Sequence, residues 1–415
     1  MTSKAVRLRA AAASAVTALA ISATVLGAGA GTANAVDRVR LAGDVQIAPG
    51  ITYRAFSLTA SHGTVTGHVV AADLSDPRVS VGLLTPGKVA ARAKLSQLAA
   101  AQEAVAGINA DFFNIDETQH PGVQATGSAV GPAIADGVPL KAAVPNGQRF
   151  GPALPPGTST RDVIGVGYDR KARLDELSLD GTVRGRHGER FGLAGLNQYA
   201  IPEGGIGAFN SLWGDVSRRR AVCGTDTVRA AACTTDAYEV TVKDGRVVSE
   251  SDSIGAGAVD PESVVLVGRE AGAAQLRSLQ VGERVRVSDR LRTTSGKRLR
   301  FAVGGYPVLR DGEPLPGLDT KAVATRTGAA IGDHGRTLYL LVLDGSAESG
   351  AGLTVAELAG VLHDVGADDG VNLDGGGSST LVTRDPVSGA PVVRNHPTGG
   401  AERPIPEGIG LFSRD

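Results

Sequence analysis

Cysteine is almost missing from this chain: Cys223 and Cys233 are the two in 415 residues. With no second cysteine pair and no His-Glu-x-x-His run, a zinc centre lacks its ligands. No carboxylate spacing matches an EF-hand loop. His120, His334 and His396 are scattered and read as loop or surface residues. Neither a metal nor any other cofactor is expected. An excess of one charge is missing too: 42 basic residues face 43 acidic ones, a net charge of −1. That balance argues against nucleic acid or an anionic membrane as a general partner. Beyond residue 35 no run of about 18 apolar residues occurs, so no membrane insertion is expected. The strained Gly-x-Ser-x-Gly elbow of serine hydrolases is absent as well. The single tryptophan, Trp213, reads as core packing before a ligand-stacking platform.

The chain does open on an address. Lys4, Arg7 and Arg9 precede an apolar stretch over residues 10–28, and Ala33-Asn34-Ala35 fits a signal-peptidase site. The protein is therefore expected to be secreted, with residues 1–35 removed by cleavage after Ala35. In an exported protein one close cysteine pair reads as a disulfide, Cys223–Cys233. Closing so short a loop is worth about 2.5–3 kcal/mol in the chain-entropy account. Glycine is abundant, 57 of 415 residues, about twice the usual ~7 %. That abundance favours turns and strands over a helical bundle.

Residues 36–99 read as a β-rich N-terminal region, with strands at 52–58, 64–72 and 79–84. A helix at 94–102, spaced by Leu95, Leu98 and Ala99, leads into an apolar strand at 104–110 that ends in Asp111. Short alternating strands at 238–242, 246–249, 263–267 and 284–288 dominate 162–300, with Asp244-Gly245 as a hairpin turn. This stretch reads as a β-rich insert. A buried strand at 337–343 ends at Asp344. Thr354-Val355-Ala356-Glu357 is a capping box opening a helix whose stripe is Val355, Leu358, Ala359 and Leu362. Gly366 stands where a helix C′ residue belongs. A strand at 370–373 then leads to a second carboxylate, Asp374. Helix, strand and carboxylate thus occur twice, and the two strand ends are expected side by side.

The run Asn372-Leu373-Asp374-Gly375-Gly376-Gly377-Ser378-Ser379 is the most informative segment. Three glycines weaken any regular element and suit a sharp turn or a close approach of backbone to ligand. The N–H groups of Gly375, Gly376 and Gly377 can form an anion cradle, with the Ser378 hydroxyl beside them. Asp374 is the first candidate for nucleophile or general base, and Asp111 the second, or the partner that tunes it. Asp344 is a third candidate, although Asp-Gly is also an ordinary turn signal. Arg326 is the candidate phosphate clamp, since a planar fork matches paired oxygens. Asn109 and Asn372 are placed to orient substrate hydroxyls or to cap backbone. Arg403 reads as a tail ion pair before a site residue.

Five motifs occur in order: Gly107-Ile108-Asn109-Ala110-Asp111-Phe112-Phe113, Arg326–Gly332, Val342-Leu343-Asp344-Gly345 with Ser349-Gly350, Asn372–Ser379, and the tail Asn395–Pro404. Together they resemble the phosphodiester glycosidase family over roughly residues 100–413. The tail departs slightly, with Thr398 where such tails often carry serine. The resemblance implies hydrolysis of a sugar 1-phosphodiester to free sugar and a phosphomonoester, on a carbohydrate or glycosyl-phosphate substrate. It leaves the sugar and the oligomeric state open. The expected fold is α+β: a mixed, β-rich single catalytic domain with a few helices, packed against the N-terminal β-rich region. A glycoside hydrolase acting on ordinary glycosidic bonds and a non-catalytic glycan-binding protein are the alternatives.

Overall fold

Alternation of apolar residues along the longer strands decides which faces meet. In the strand Gly63–Asp73, Val65 and Val69 point to one side while Val70 and Ala72 point to the other. The neighbouring strand Thr337–Leu343 is apolar at nearly every position because both its faces are covered. Its Leu338, Leu340 and Val342 enter one core, and Leu341 and Leu343 enter another.

The computed structural model describes residues 39–186, 188–345 and 352–414. The expected signal segment at 1–35 and the Ser349-Gly350 pair lie outside the described residues. Among the described residues a nine-stranded sheet carries Gly63–Asp73, Thr337–Leu343, Thr327–Gly332, Asp369–Leu373 and Tyr306–Arg310 as consecutive neighbours. A five-stranded sheet orders Pro391–Val393, Leu381–Arg384, Ala106–Asn109, Gly408–Ser413 and Val79–Leu84. The two sheets share a core in which Ile108, Leu381, Ile409 and Leu411 meet Ala329, Leu340, Val371 and Leu373.

Helix Val355–Asp364 covers the outer face of the larger sheet through Leu358 and Leu362. Its Thr354–Glu357 capping box forms as read from the sequence. Helix Leu95–Ala101 covers the outer face of the smaller sheet through Leu95 and Leu98. Two further sheets, of seven and five strands, are built largely from residues 133–304. The chain is β-rich with few helices, and nearly all of its strand pairs are antiparallel. The pairing of Gly195–Leu196 with Ile206–Phe209 is parallel. No described helix is long and apolar enough to cross a membrane.

Thr327–Gly332 carries no strand signal of its own, since Thr-Gly-Ala-Ala-Ile-Gly is poor in β-branched residues. It lies at the centre of the sheet because helix Val355–Asp364 packs closely over it. A Cβ on Gly370 of the adjacent strand would stand 2.9 Å from Leu362, and one on Gly328 would stand 3.3 Å from it.

Cys223 and Cys233 form a disulfide. Trp213 is fully buried, edge-on to Phe209 at 5.0 Å, and is a core residue. His120 corrects the surface reading. It is 5 % exposed and packed against Glu117 and the carbonyl of Ala231.

Candidate active site

The strands Ala106–Asn109 and Asp369–Leu373 belong to different sheets, yet their C-terminal ends meet. The Asp374 N–H donates to the Ala110 carbonyl at 2.9 Å. The Asn109 side-chain amide donates to the Asp374 carbonyl at 2.6 Å. Its oxygen accepts from the Thr327 hydroxyl and the Thr380 N–H, each at 3.0 Å. Asn109 is 1 % exposed and acts as a latch between the sheets. Its hydrogen-bonding groups face protein rather than a sugar.

Asp374 is half-buried at this seam. Its carboxyl is pushed up to about 7, mainly by burial and further by the Asp111 charge. The Ser378 hydroxyl, the Arg403 guanidinium and the Gly375 N–H pull the other way. Asp111 is 2 % exposed. Its carboxylate accepts from the Phe112 N–H at 2.8 Å and from the Gly131 N–H at 2.5 Å. Burial pushes it up, while those two hydrogen bonds and the Lys141 charge oppose the rise. Lys141 is buried behind it and donates to the carbonyls of Val130, Gly131 and Ala142. Glu407 completes this buried cluster, and burial raises its carboxyl as well.

The Asp111 carboxylate rests between two glycines. A Cβ on Gly304 would stand 2.3 Å from Asp111 Oδ2, and one on Gly131 would stand 2.9 Å from it. Gly304→Ala is therefore expected to destabilise the fold by about 1–3 kcal/mol and to displace Asp111. Thermal unfolding checks the first effect and activity per folded molecule the second. An unchanged melting temperature would show that the pocket relaxes around a methyl group.

The three glycines after Asp374 have separate structural reasons. Gly375 approaches the Thr325 carbonyl so closely that a Cβ would stand 2.4 Å from it. Gly376 adopts a φ of 57°, and its N–H donates to that same carbonyl at 2.8 Å. Gly377 lies under the Arg403 guanidinium, where a Cβ would stand 2.4 Å from Nη2. The Gly375 N–H turns to the Asp374 carboxyl and the Gly376 N–H to the Thr325 carbonyl, which corrects the picture of a three-amide anion cradle.

The cation that stands beside Asp374 is not the one the sequence suggested as a clamp. Arg326 is buried and donates to the carbonyls of Leu353 at 2.8 Å and Ala322 at 2.6 Å, away from Asp374. Arg403 instead donates to Ser378 Oγ at 3.2 Å and carries its charge beside Asp374. Arg92 lies within electrostatic reach of Arg403, over the Phe113 ring at 5.6 Å. Burial and the Arg403 charge both lower the Arg92 pKa.

Asp344 ends the strand Thr337–Leu343 on the same edge of the sheet. It accepts from the Thr66 hydroxyl at 2.7 Å, His68 Nε2 at 3.1 Å and the His396 N–H at 2.9 Å. Burial acts to raise its pKa. The bonds from His68, Thr66 and His396 outweigh that and hold it at about 2. Asp344 is an ionised anchor in contact with the tail, whereas Asp374 is balanced near neutrality. Asn372 is 1 % exposed and neither of its side-chain polar atoms has a partner among the described residues; nothing in the structure explains this.

Sequence reasoning missed Lys141, Glu407 and Arg92. A signal existed for the first two, because each is a lone charge in an apolar run: Pro139-Leu140-Lys141-Ala142 and Ile405-Pro406-Glu407-Gly408-Ile409. Among the described residues no group of three or more His, Cys, Asp or Glu side chains is arranged to hold a metal.

Comparisons with known proteins bear on fold and family. A hypothetical protein from Synechocystis superposes with a TM-score of 0.69 at 19 % identity, over 90 % of this chain and 64 % of that one. This chain thus spans less than two thirds of that protein's length. A Burkholderia pseudomallei protein gives 0.68 at 19 % identity, over 90 % and 97 %. At such identities the likeness is one of fold. The catalytic domain of zebrafish N-acetylglucosamine-1-phosphodiester α-N-acetylglucosaminidase, auto-inhibited by its pro-peptide, gives 0.44 at 15 % identity over 91 % and 88 %. No curated protein matches the sequence. The family match covers Arg326, Asp344, Asp374 and Arg403 but begins well after Asp111, a narrower span than the motifs suggested. Residues 236–412 of this chain match the family model described as phosphodiester glycosidase.

Proposed function

We propose that this chain is a secreted hydrolase that cleaves a sugar 1-phosphodiester to free sugar and a phosphomonoester, acting on a cell-wall or extracellular polysaccharide. The observation that carries the reading is a carboxyl balanced near neutral pH beside a cation. Asp374 is raised to about 7 while Arg403 sits against it and Ser378. The family match to residues 236–412 supplies the reaction class. The apolar leader and the Cys223–Cys233 disulfide support export.

A phosphomonoester is a good leaving group, because its second ionisation lies near pH 6. It departs without the full protonation that an alcohol requires, so the usual pair of glycosidase carboxyls is relaxed. In this reading Asp374, ionised, takes a proton from the attacking water, or attacks the anomeric carbon to form a glycosyl ester that water then hydrolyses to free sugar and the regenerated carboxyl. The bond from that carbon to the phosphate oxygen breaks, and Arg403 and Arg92 balance the charge left on phosphate. Asp111 raises the Asp374 pKa through its own charge. Asp344 holds the tail that brings Arg403 to the rim.

The test is release of free sugar from a panel of sugar 1-phosphodiesters, with matched alcohol glycosides as controls. Turnover of the phosphodiesters alone is expected. Turnover of the alcohol glycosides instead would favour an ordinary glycoside hydrolase, and saturable binding with no turnover a glycan-binding protein. Arg403→Gln is expected to raise KM for the phosphodiester about 10- to 100-fold, the range for a hydrogen bond to a charged group. Arg326→Gln is expected to lower thermal stability and leave KM unchanged. The reverse pattern would restore Arg326 as the clamp.

A further inference from the structure

A second electropositive feature lies apart from the Asp374 rim. A groove of about 820 Å³ is lined by Arg184, Arg186, Arg246, Arg284 and Arg286. The carboxylates that share its lining are Asp244 and Glu262. Five positive charges against two negative ones leave +3, in a chain whose net charge is −1. Glu262 is also drawn to Lys243 at 3.7 Å. Two further carboxylates border the groove beside Gly185: Glu189, and Glu283, which accepts from the backbone N–H groups of Arg186 and Gln280.

The strand register makes this concentration costly. Arg184 lies directly opposite Arg286 on one neighbouring strand and opposite Arg190 on the other. Arg246 and Arg284 face each other across an isolated bridge. Like charges in directly opposed positions destabilise a sheet. Among the described residues none of Arg184, Arg186, Arg190, Arg284 and Arg286 forms an ion pair within 4 Å. All five are exposed. A row of forked cations without direct ion pairs is what a multivalent anion would complement. No aromatic side chain lines the groove, so it lacks the stacking surfaces with which single-stranded nucleic acid is held.

We propose that this groove binds a phosphodiester-linked polyol or sugar polymer and holds it on the enzyme. The inference rests on the proposed reaction for its choice of phosphate polymer, and on the arginine row for the site itself. Arginine forks take phosphate oxygens in pairs, and a polymer with regularly spaced phosphates would meet several of them at once.

The experiment uses the full secreted chain and fluorescently labelled poly(glycerol phosphate), read by anisotropy in about 0.15 M salt. Dextran, polygalacturonate and single-stranded DNA serve as competitors. Wild type is expected to bind the polymer saturably and to be displaced by neither dextran nor polygalacturonate. The Arg184→Gln/Arg286→Gln variant is expected to bind at least about 10-fold more weakly. Its melting temperature should be equal or higher, since an opposed like-charge pair is removed. The Arg184→Lys/Arg286→Lys variant keeps the charge and is expected to fall between the two. Unchanged binding by the glutamine variant, displacement by polygalacturonate at equal concentration, or tighter binding of DNA would each overturn the proposal. Turnover of a small sugar 1-phosphodiester separates the two readings. If it persists while polymer binding fails, the groove falls and the reaction stands. If polymer binding holds without any turnover, the reaction falls and the groove stands as a binding site.

Discussion

Asp374→Asn is expected to lower turnover of a sugar 1-phosphodiester by at least about 10³-fold, within the range for loss of a positioned acid–base group. The wild-type rate is expected to rise with pH through about 7, because the proposed role needs the ionised carboxylate and its pKa is raised to that value. A rate that falls through the same pH would instead make Asp374 a general acid.

The substitution also has a consequence for stability. An unfolded aspartate ionises near 3.9, and the folded one near 7. Ionisation of Asp374 therefore opposes folding. Stability that is fully present below about pH 4 is lost as pH rises towards 7. Asp374→Asn removes that loss, so it is expected to stabilise the protein more at pH 8 than at pH 4. The difference should be on the order of 1–3 kcal/mol once partial exposure is allowed for. Thermal unfolding of both proteins at the two pH values checks it. Higher stability together with lost activity would mark Asp374 as a site kept at the expense of the fold. Equal stability at both pH values would contradict a raised pKa.

The largest structural effect is expected at Arg220. This side chain is fully buried and stands 2.7 Å from the Glu117 carboxylate, itself 3 % exposed. It also donates to Gln148 Oε1 at 2.8 Å and the Cys223 carbonyl at 3.1 Å, and lies over the Tyr199 ring at 5.3 Å. Arg220→Met keeps the apolar stem but leaves Glu117 buried without its strongest partner. The expected cost is about 3–5 kcal/mol, the range for breaking a buried ion pair from one side. Glu117→Gln added to Arg220→Met should recover part of that loss, since no stranded charge remains. Denaturant unfolding of the single and double variants measures both terms. A loss under about 0.5 kcal/mol for Arg220→Met would class the pair as a surface contact.

Much of the scaffold around the site was legible. The strands that end at Asn109 and Leu373, the capped helix Val355–Asp364 and strand Thr337–Leu343 all carry local periodicity or end signals. The adjacency of the two carboxylate-bearing strand ends was readable from the repeated helix–strand–carboxylate order. The strand Thr327–Gly332 escaped detection because its glycines and alanines answer to the helix packed above them rather than to strand propensity. His120 escaped because its burial depends on Glu117 and Ala231, the latter 111 residues away.

By itself the sequence determined that two aspartates close two strands and that glycines follow the second, since strand periodicity and turn chemistry are properties of short segments. The three-dimensional arrangement alone decided that Arg403 rather than Arg326 faces Asp374, that Lys141 and Glu407 back Asp111, and that arginines oppose one another across three strands. Those outcomes depend on which distant segments pack together and how much water they exclude. Burial of a carboxyl near another charge sets its protonation, and no local spacing of residues encodes that burial.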